Sequence, residues 1–279
     1  MKKFELIFFA MLSLAASCSN NVDDNQIDTS VQTAIRPNKI SWVYPSLYYP
    51  TSSDPNYYFE YDSQGRLVKR IGVALTAAPN SGVMYTYSND YYTDVVYNGN
   101  IVILRDHSFN PSNGEIQLNE RKFELNNEGQ ILKRYISSMY GQQYDENLTY
   151  HYDNDGKLID ILTEFPNFTY NPADPNDFIS TEIERFTYVN GNLTEAKKTT
   201  QRNHVDFQTY KIVEFGNFDN VQNPFLKLGI LDDYFYLSLS KNNPQSKIVK
   251  EYKYGQWFTT YTGSWNNQYD SNGNLKLFQ

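Results

Sequence analysis

The sequence predicts an all-β protein, made of repeated antiparallel β-hairpins that form one large curved or barrel-like meander sheet. Three observations predict it. A seven-residue phrase recurs as YDSQGRL (Tyr61–Leu67), LNNEGQI (Leu125–Ile131), YDNDGKL (Tyr152–Leu158) and YDSNGNL (Tyr269–Leu275). A shorter relative recurs as YNGNI (Tyr97–Ile101) and VNGNL (Val189–Leu193). Tyrosine, with 25 copies in 279 residues, far exceeds ordinary use, and Tyr and Phe suit the half-buried surface of a pleated sheet.

Each long phrase specifies a turn. Asp62, Asn126, Asp153 and Asp270 stand three residues before Gly65, Gly129, Gly156 and Gly273. That is the pattern of a type I turn closed by a left-handed glycine in a G1 bulge. Asn98-Gly99 and Asn190-Gly191 carry the strongest two-residue hairpin signal. Two residues after the glycines stand Leu67, Ile101, Ile131, Leu158, Leu193 and Leu275. Alternation then gives the arms an inward face (Phe59 and Tyr61, Phe123 and Leu125, Tyr150 and Tyr152). The outward face carries Glu60, Glu124 and His151.

Taken from the start of the chain, residues 1–17 read as a signal peptide. Lys2 and Lys3 open it, Phe4–Ala16 is mostly apolar, and the run is shorter than the ~20 apolar residues of a membrane span. The single cysteine, Cys18, follows at once. LAASC (Leu14–Cys18) resembles the lipobox of bacterial lipoproteins, with its leucine one place earlier than usual. The resemblance implies acylation of Cys18, with palmitate among the chains, and a lipid anchor in the outer membrane, on its periplasmic or surface face. With Cys18 acylated, no disulfide forms within the mature chain. Residues 18–38 are polar and without period, a flexible tether. Residues 39–279 form the hairpin-repeat domain, whose first strand begins near Ile40.

Later in the chain, Leu231–Ser240 (LDDYFYLSLS) alternates as a strand, with Phe235, Leu237 and Leu239 on one face. Just before it, Asn223–Ile230 is the one helix candidate, a short turn between Pro224 and Gly229.

The phrase Tyr-Asp-x-x-Gly-[Arg/Lys]-Leu, best kept at Tyr61–Leu67 and Tyr152–Leu158, resembles the YD repeat of RHS-type and teneurin-type proteins. Together with the lipobox-like start, the chain resembles a group of lipoproteins of Bacteroides-type bacteria that carry a porin-like domain. Phe215–Phe225 (FGNFDNVQNPF) is similar to a segment of that group. The resemblance implies a curved or barrel-like antiparallel sheet and transfers no catalytic residue.

The net charge of −8 argues against nucleic acid as a partner. His107, His151 and His204 lack metal-ligand spacing, and Gly156 falls at position four of DNDG, where a calcium loop needs position six. No metal or cofactor is expected. G-x-S-x-G, P-loop and H-E-x-x-H motifs are absent, so the protein is expected not to be an enzyme. Glu182 and Glu184 share one face of a strand, which reads as a solvated face. The aromatic run Glu251–Asp270 is the candidate ligand surface. Trp257, Trp265 and Tyr261 lie there among amides, a composition suited to stacking on sugars or to a protein interface. The expected function is that of a membrane-anchored module binding a polysaccharide or an envelope protein. The alternatives are a shielding envelope protein without a ligand and a glycan hydrolase.

Overall fold

The computed structural model describes residues 35–41, 56–76, 85–110, 112, 120–137, 144–272 and 275–277. Cys18, the expected signal peptide and most of the expected tether lie outside the described residues. Residues 34–279 form one compact unit.

Among the described residues, fourteen strands follow one another in a single antiparallel meander. They are β1 (Lys39–Ser41), β2 (Asn56–Tyr61), β3 (Leu67–Thr76), β4 (Tyr85–Asn98), β5 (Ile101–Ser108), β6 (Arg121–Leu125) and β7 (Ile131–Ile136). The second half comprises β8 (Glu146–Tyr152), β9 (Leu158–Glu164), β10 (Ser180–Val189), β11 (Asn192–Arg202), β12 (Val205–Gly216), β13 (Ser246–Lys253) and β14 (Gln256–Ser264). β1 and β14 do not pair with each other, so the sheet is not closed into a barrel. The segment after β14 does return to β1, where the Ser41 N–H donates to the Leu277 carbonyl at 2.6 Å.

The repeated phrase forms the expected turn. Gly65, Gly129 and Gly156 have φ of 75°, 78° and 76°, and the ladder slips by one residue at Glu60/Tyr61, Glu124/Leu125 and His151/Tyr152. The acidic or amide residue that opens each turn has a defined task. Asp62 Oδ1 accepts from the N–H groups of Gln64 and Arg66, at 3.0 and 2.9 Å. Asn126 and Asp153 repeat both bonds. These side chains satisfy backbone donors that the ladder cannot reach. The tyrosines act across strands: Tyr61 Oη donates to the Pro37 carbonyl and Tyr152 Oη to that of Ile131, both at 2.8 Å.

The short turns differ from one another. Asn190 and Gly191 both have positive φ, as a type I′ hairpin requires, whereas at the other site the loop is Gly99-Asn100 and only Gly99 is left-handed. Two further tight hairpins turn at Asn203-His204 and Tyr254-Gly255. Neither Asn203-His204 nor Tyr254-Gly255 carries the Asn-Gly or Asp-Gly pair that marks a two-residue hairpin in the sequence.

One face of the sheet is apolar. Tyr57, Phe59, Val102, Leu104 and Phe123 on the first strands, and Tyr150, Ile161, Phe186 and Val213 on the later ones, are buried there. The β12–β13 connection, residues 217–245, covers this face. Its Phe225, Leu228, Leu231, Tyr234 and Leu237 enter the core of the early strands, while Phe235, Tyr236 and Leu239 pack on that of the later strands. At about 2 kcal/mol for each buried side chain, the first set alone contributes roughly 10 kcal/mol as an upper estimate.

The strand expected at Leu231–Ser240 is a 3-10 turn (Asp232–Tyr234) running into a short helix, α1 (Phe235–Ser238). Its apolar residues serve two cores on two sides, which a strand with one inward face would not allow. Asp233 and Asp232 are also held by guanidinium groups of the sheet. Arg70 reaches Asp233 at 2.9 Å, and Arg134 clamps Asp232 with two bonds of 2.6 and 3.1 Å. The helix candidate at Asn223–Ile230 is instead a chain of turns, closed by Leu228 N–H to Phe225 O and Leu231 N–H to Leu228 O. Buried Asn223 ties the segment together. Its amide donates to the carbonyls of Leu237 and Ser240, at 2.6 and 2.7 Å, and its oxygen accepts from the Phe225 N–H at 2.8 Å.

Candidate binding cavity on the inner face

Between the later strands and α1 lies a cavity of about 490 Å³ with an acidic lining. Strand register assembles it. Thr163 of β9 stands opposite Glu182 of β10, Ile161 opposite Glu184, and Glu184 opposite Lys198 of β11. Glu182, Glu184 and Phe186 therefore share one face, and Phe186 is buried in the core. This corrects the solvated-face reading: Glu184 is only 8% exposed. The two carboxylates do lie together, but on the inner side.

Each glutamate is engaged by a tyrosine. Tyr210 Oη of β12 donates to Glu182 Oε2, and Tyr236 Oη of α1 donates to Glu184 Oε1, both at 2.6 Å. Lys198 Nζ lies 3.6 Å from Glu184 Oε2. Arg134, clamped on Asp232, and Glu146 of β8 complete the charged lining. Among the described lining residues, four carboxylates thus face two cations. The excess registers at Glu146, whose carboxyl is held above its ordinary value by burial and then by the Glu182 charge. Burial pushes the Tyr150 hydroxyl up to about 12, with Arg134 pulling the other way. The Tyr210 and Tyr236 hydroxyls are raised first by burial and then by their glutamate partners, so both remain donors at neutral pH.

The lining offers carboxylate oxygens as acceptors, hydroxyls as donors and acceptors, and the rings of Tyr150, Phe235 and Tyr236 as apolar surface. Among the described residues, no group of three or more His, Cys, Asp or Glu side chains is arranged to hold a metal ion.

The aromatic run of the last hairpin is not gathered into one platform. On β14, Tyr261 stands opposite Val249 and Trp257 opposite Tyr252, with a bulge between them. Val249 packs toward the core, so Tyr261 faces inward while Trp257 points to the opposite side. Trp257 is 43% exposed and packs edge-on against Tyr252. Trp265 lies past the end of β14, half-buried, its backbone N–H donating to Gln245 O at 2.9 Å. His151 is exposed, as expected of its outward slot, and bonds Asp160 at 2.6 Å.

No protein-family model matches the chain, and no curated protein matches it in sequence. Among solved structures, it is similar to a porin-like protein from Bacteroides uniformis, with a TM-score of 0.44 and 15% identity over 79% of this chain and 80% of that one.

Proposed function

We propose that this is a non-enzymatic envelope protein, anchored in the outer membrane through acylated Cys18, that binds a small polyhydroxylated ligand of the glycan class in its acidic inner-face cavity. The observation that carries the reading is the convergence of Glu182 and Glu184, each held by a tyrosine hydroxyl, on a cavity of about 490 Å³. That volume falls in the range of small-molecule sites. Sugar hydroxyls donate well to ionised carboxylates, and charge-assisted bonds of this kind are the strong ones. Tyrosine and phenylalanine rings accept the apolar face of a pyranose.

A second reading, glycan hydrolysis, rests on the raised carboxyl of Glu146 beside the charge of Glu182, a pairing that general acid and base require. The test is calorimetric titration of the protein with mono- and oligosaccharides, with product analysis of each mixture. Saturable binding with the ligand recovered unchanged, and about tenfold weaker in Glu182→Gln, is expected. Release of new reducing ends would establish the hydrolase instead. Loss of binding in Trp257→Ala or Trp265→Ala but not in Glu182→Gln would move the site to the last hairpin. No saturable binding would leave the shielding role.

A further inference from the structure

A second inner-face cavity, of about 520 Å³, lies on the other side of Phe235, at the end of the sheet where the repeated phrase turns. Its lining differs from the first in both charge and polarity. Arg36, Arg66, Lys157 and Lys227 face it with Glu128 as the only carboxylate among the described lining residues, although the chain as a whole is acidic. Arg66 is partly neutralised by Asp62 at 2.7 Å and lies over the Tyr97 ring. Among the described residues no ion pair holds Arg36, Lys157 or Lys227, and all three are exposed. Gly65 leaves room for the Arg36 guanidinium, because a Cβ there would lie 2.0 Å from its central carbon.

Beneath these cations the surface is apolar. Leu125, Ile131, Ile230, Phe235 and Leu239 are only partly buried, and Leu226 is 39% exposed. Leu125 and Ile131 are the two flanks of one repeated phrase, so the sequence that makes the turn also makes the floor. An apolar floor under unpaired cations suits a ligand with an apolar body and one anionic end. A bare phosphate would leave the floor uncovered, and a neutral hydrocarbon would leave the cations without a partner.

We propose that this turn-end cavity binds a single-chain amphipathic organic anion, a carboxylate on an aliphatic body. The test is calorimetric titration of the protein produced from residue 19, which keeps every strand and both cores, with dodecanoate below its micelle concentration. Saturable binding is expected, with dodecyltrimethylammonium and inorganic phosphate failing to bind. The double variant Lys157→Glu/Lys227→Glu, at two exposed positions, should weaken dodecanoate about tenfold while leaving the urea midpoint unchanged. Equal binding of the cationic amphiphile would overturn the proposal in favour of an indifferent apolar cavity. Dodecanoate binding untouched by the double variant would place the ligand elsewhere and overturn it too. Co-flotation with phosphatidylglycerol vesicles, lost in the double variant, would identify a membrane lipid rather than a free acid as the source and overturn the single-chain assignment.

Discussion

The two cavities share Phe235 as a wall and differ in nearly everything else. On one side the lining carries an excess of carboxylates, each glutamate of β10 held by a tyrosine. On the other, cations stand over partly exposed aliphatic side chains. Both rest on the same inner face of the same sheet, so sheet geometry did not make the difference. Position along the strands did. The turn end repeats the hairpin phrase, which supplies an aliphatic residue two places after each glycine, whereas β8 and β10 continue away from the turns into residues the phrase does not specify. There the inner face becomes polar, and the connection 217–245 supplies Tyr236 and Asp232 to match it.

If that connection is what separates the cavities, loosening it should cost the most. Asn223→Ala removes three hydrogen bonds at a fully buried position and leaves the Leu237 and Ser240 carbonyls without that partner. A loss of about 3 kcal/mol is expected, read from urea denaturation. Phe235→Ala takes away only the shared wall. Because the ring is half-buried, a smaller loss of about 2 kcal/mol is expected, and a crystal structure of the variant should show one continuous void.

The smallest effect separates the cavities by pH. The Glu146 carboxyl is raised in the folded state, so its ionisation opposes folding. Its neutral form is favoured fully below the ordinary carboxylate value, and that advantage is lost as pH rises through the raised one. Glu146→Gln should therefore raise the melting temperature at pH 7 and change it little near pH 4. A gain of equal size at both values would show that charge is not its cause.

The turns were legible because their chemistry is local: an Asp or Asn that caps two N–H groups and a glycine in a left-handed conformation leave their mark within seven residues. The acidic cavity was half legible. Glu182 and Glu184 were seen to share a face, but the face was misassigned. Counting back by twos from Tyr188, beside its turn, through Phe186 would have put both glutamates inside. The helix at Phe235–Ser238 was not legible, since its alternation is that of a strand. Its conformation rests on partners distant in sequence: the two cores that its apolar residues enter, and Arg70 and Arg134, which hold Asp233 and Asp232 from 163 and 98 residues away. The placement of the aromatic run was not legible for a related reason. Closeness in sequence became separation in space once a bulge in β14 turned Trp257 and Tyr261 to opposite faces.

The most direct measurement is a pair of calorimetric titrations on one preparation, with the best saccharide of the panel and with dodecanoate, repeated in Glu182→Gln and in Lys157→Glu/Lys227→Glu. Two cavities sorted by charge require that the first variant lose the saccharide alone and the second lose the dodecanoate alone. A variant that loses both ligands, or a saccharide that binds equally well to all three proteins, would contradict it.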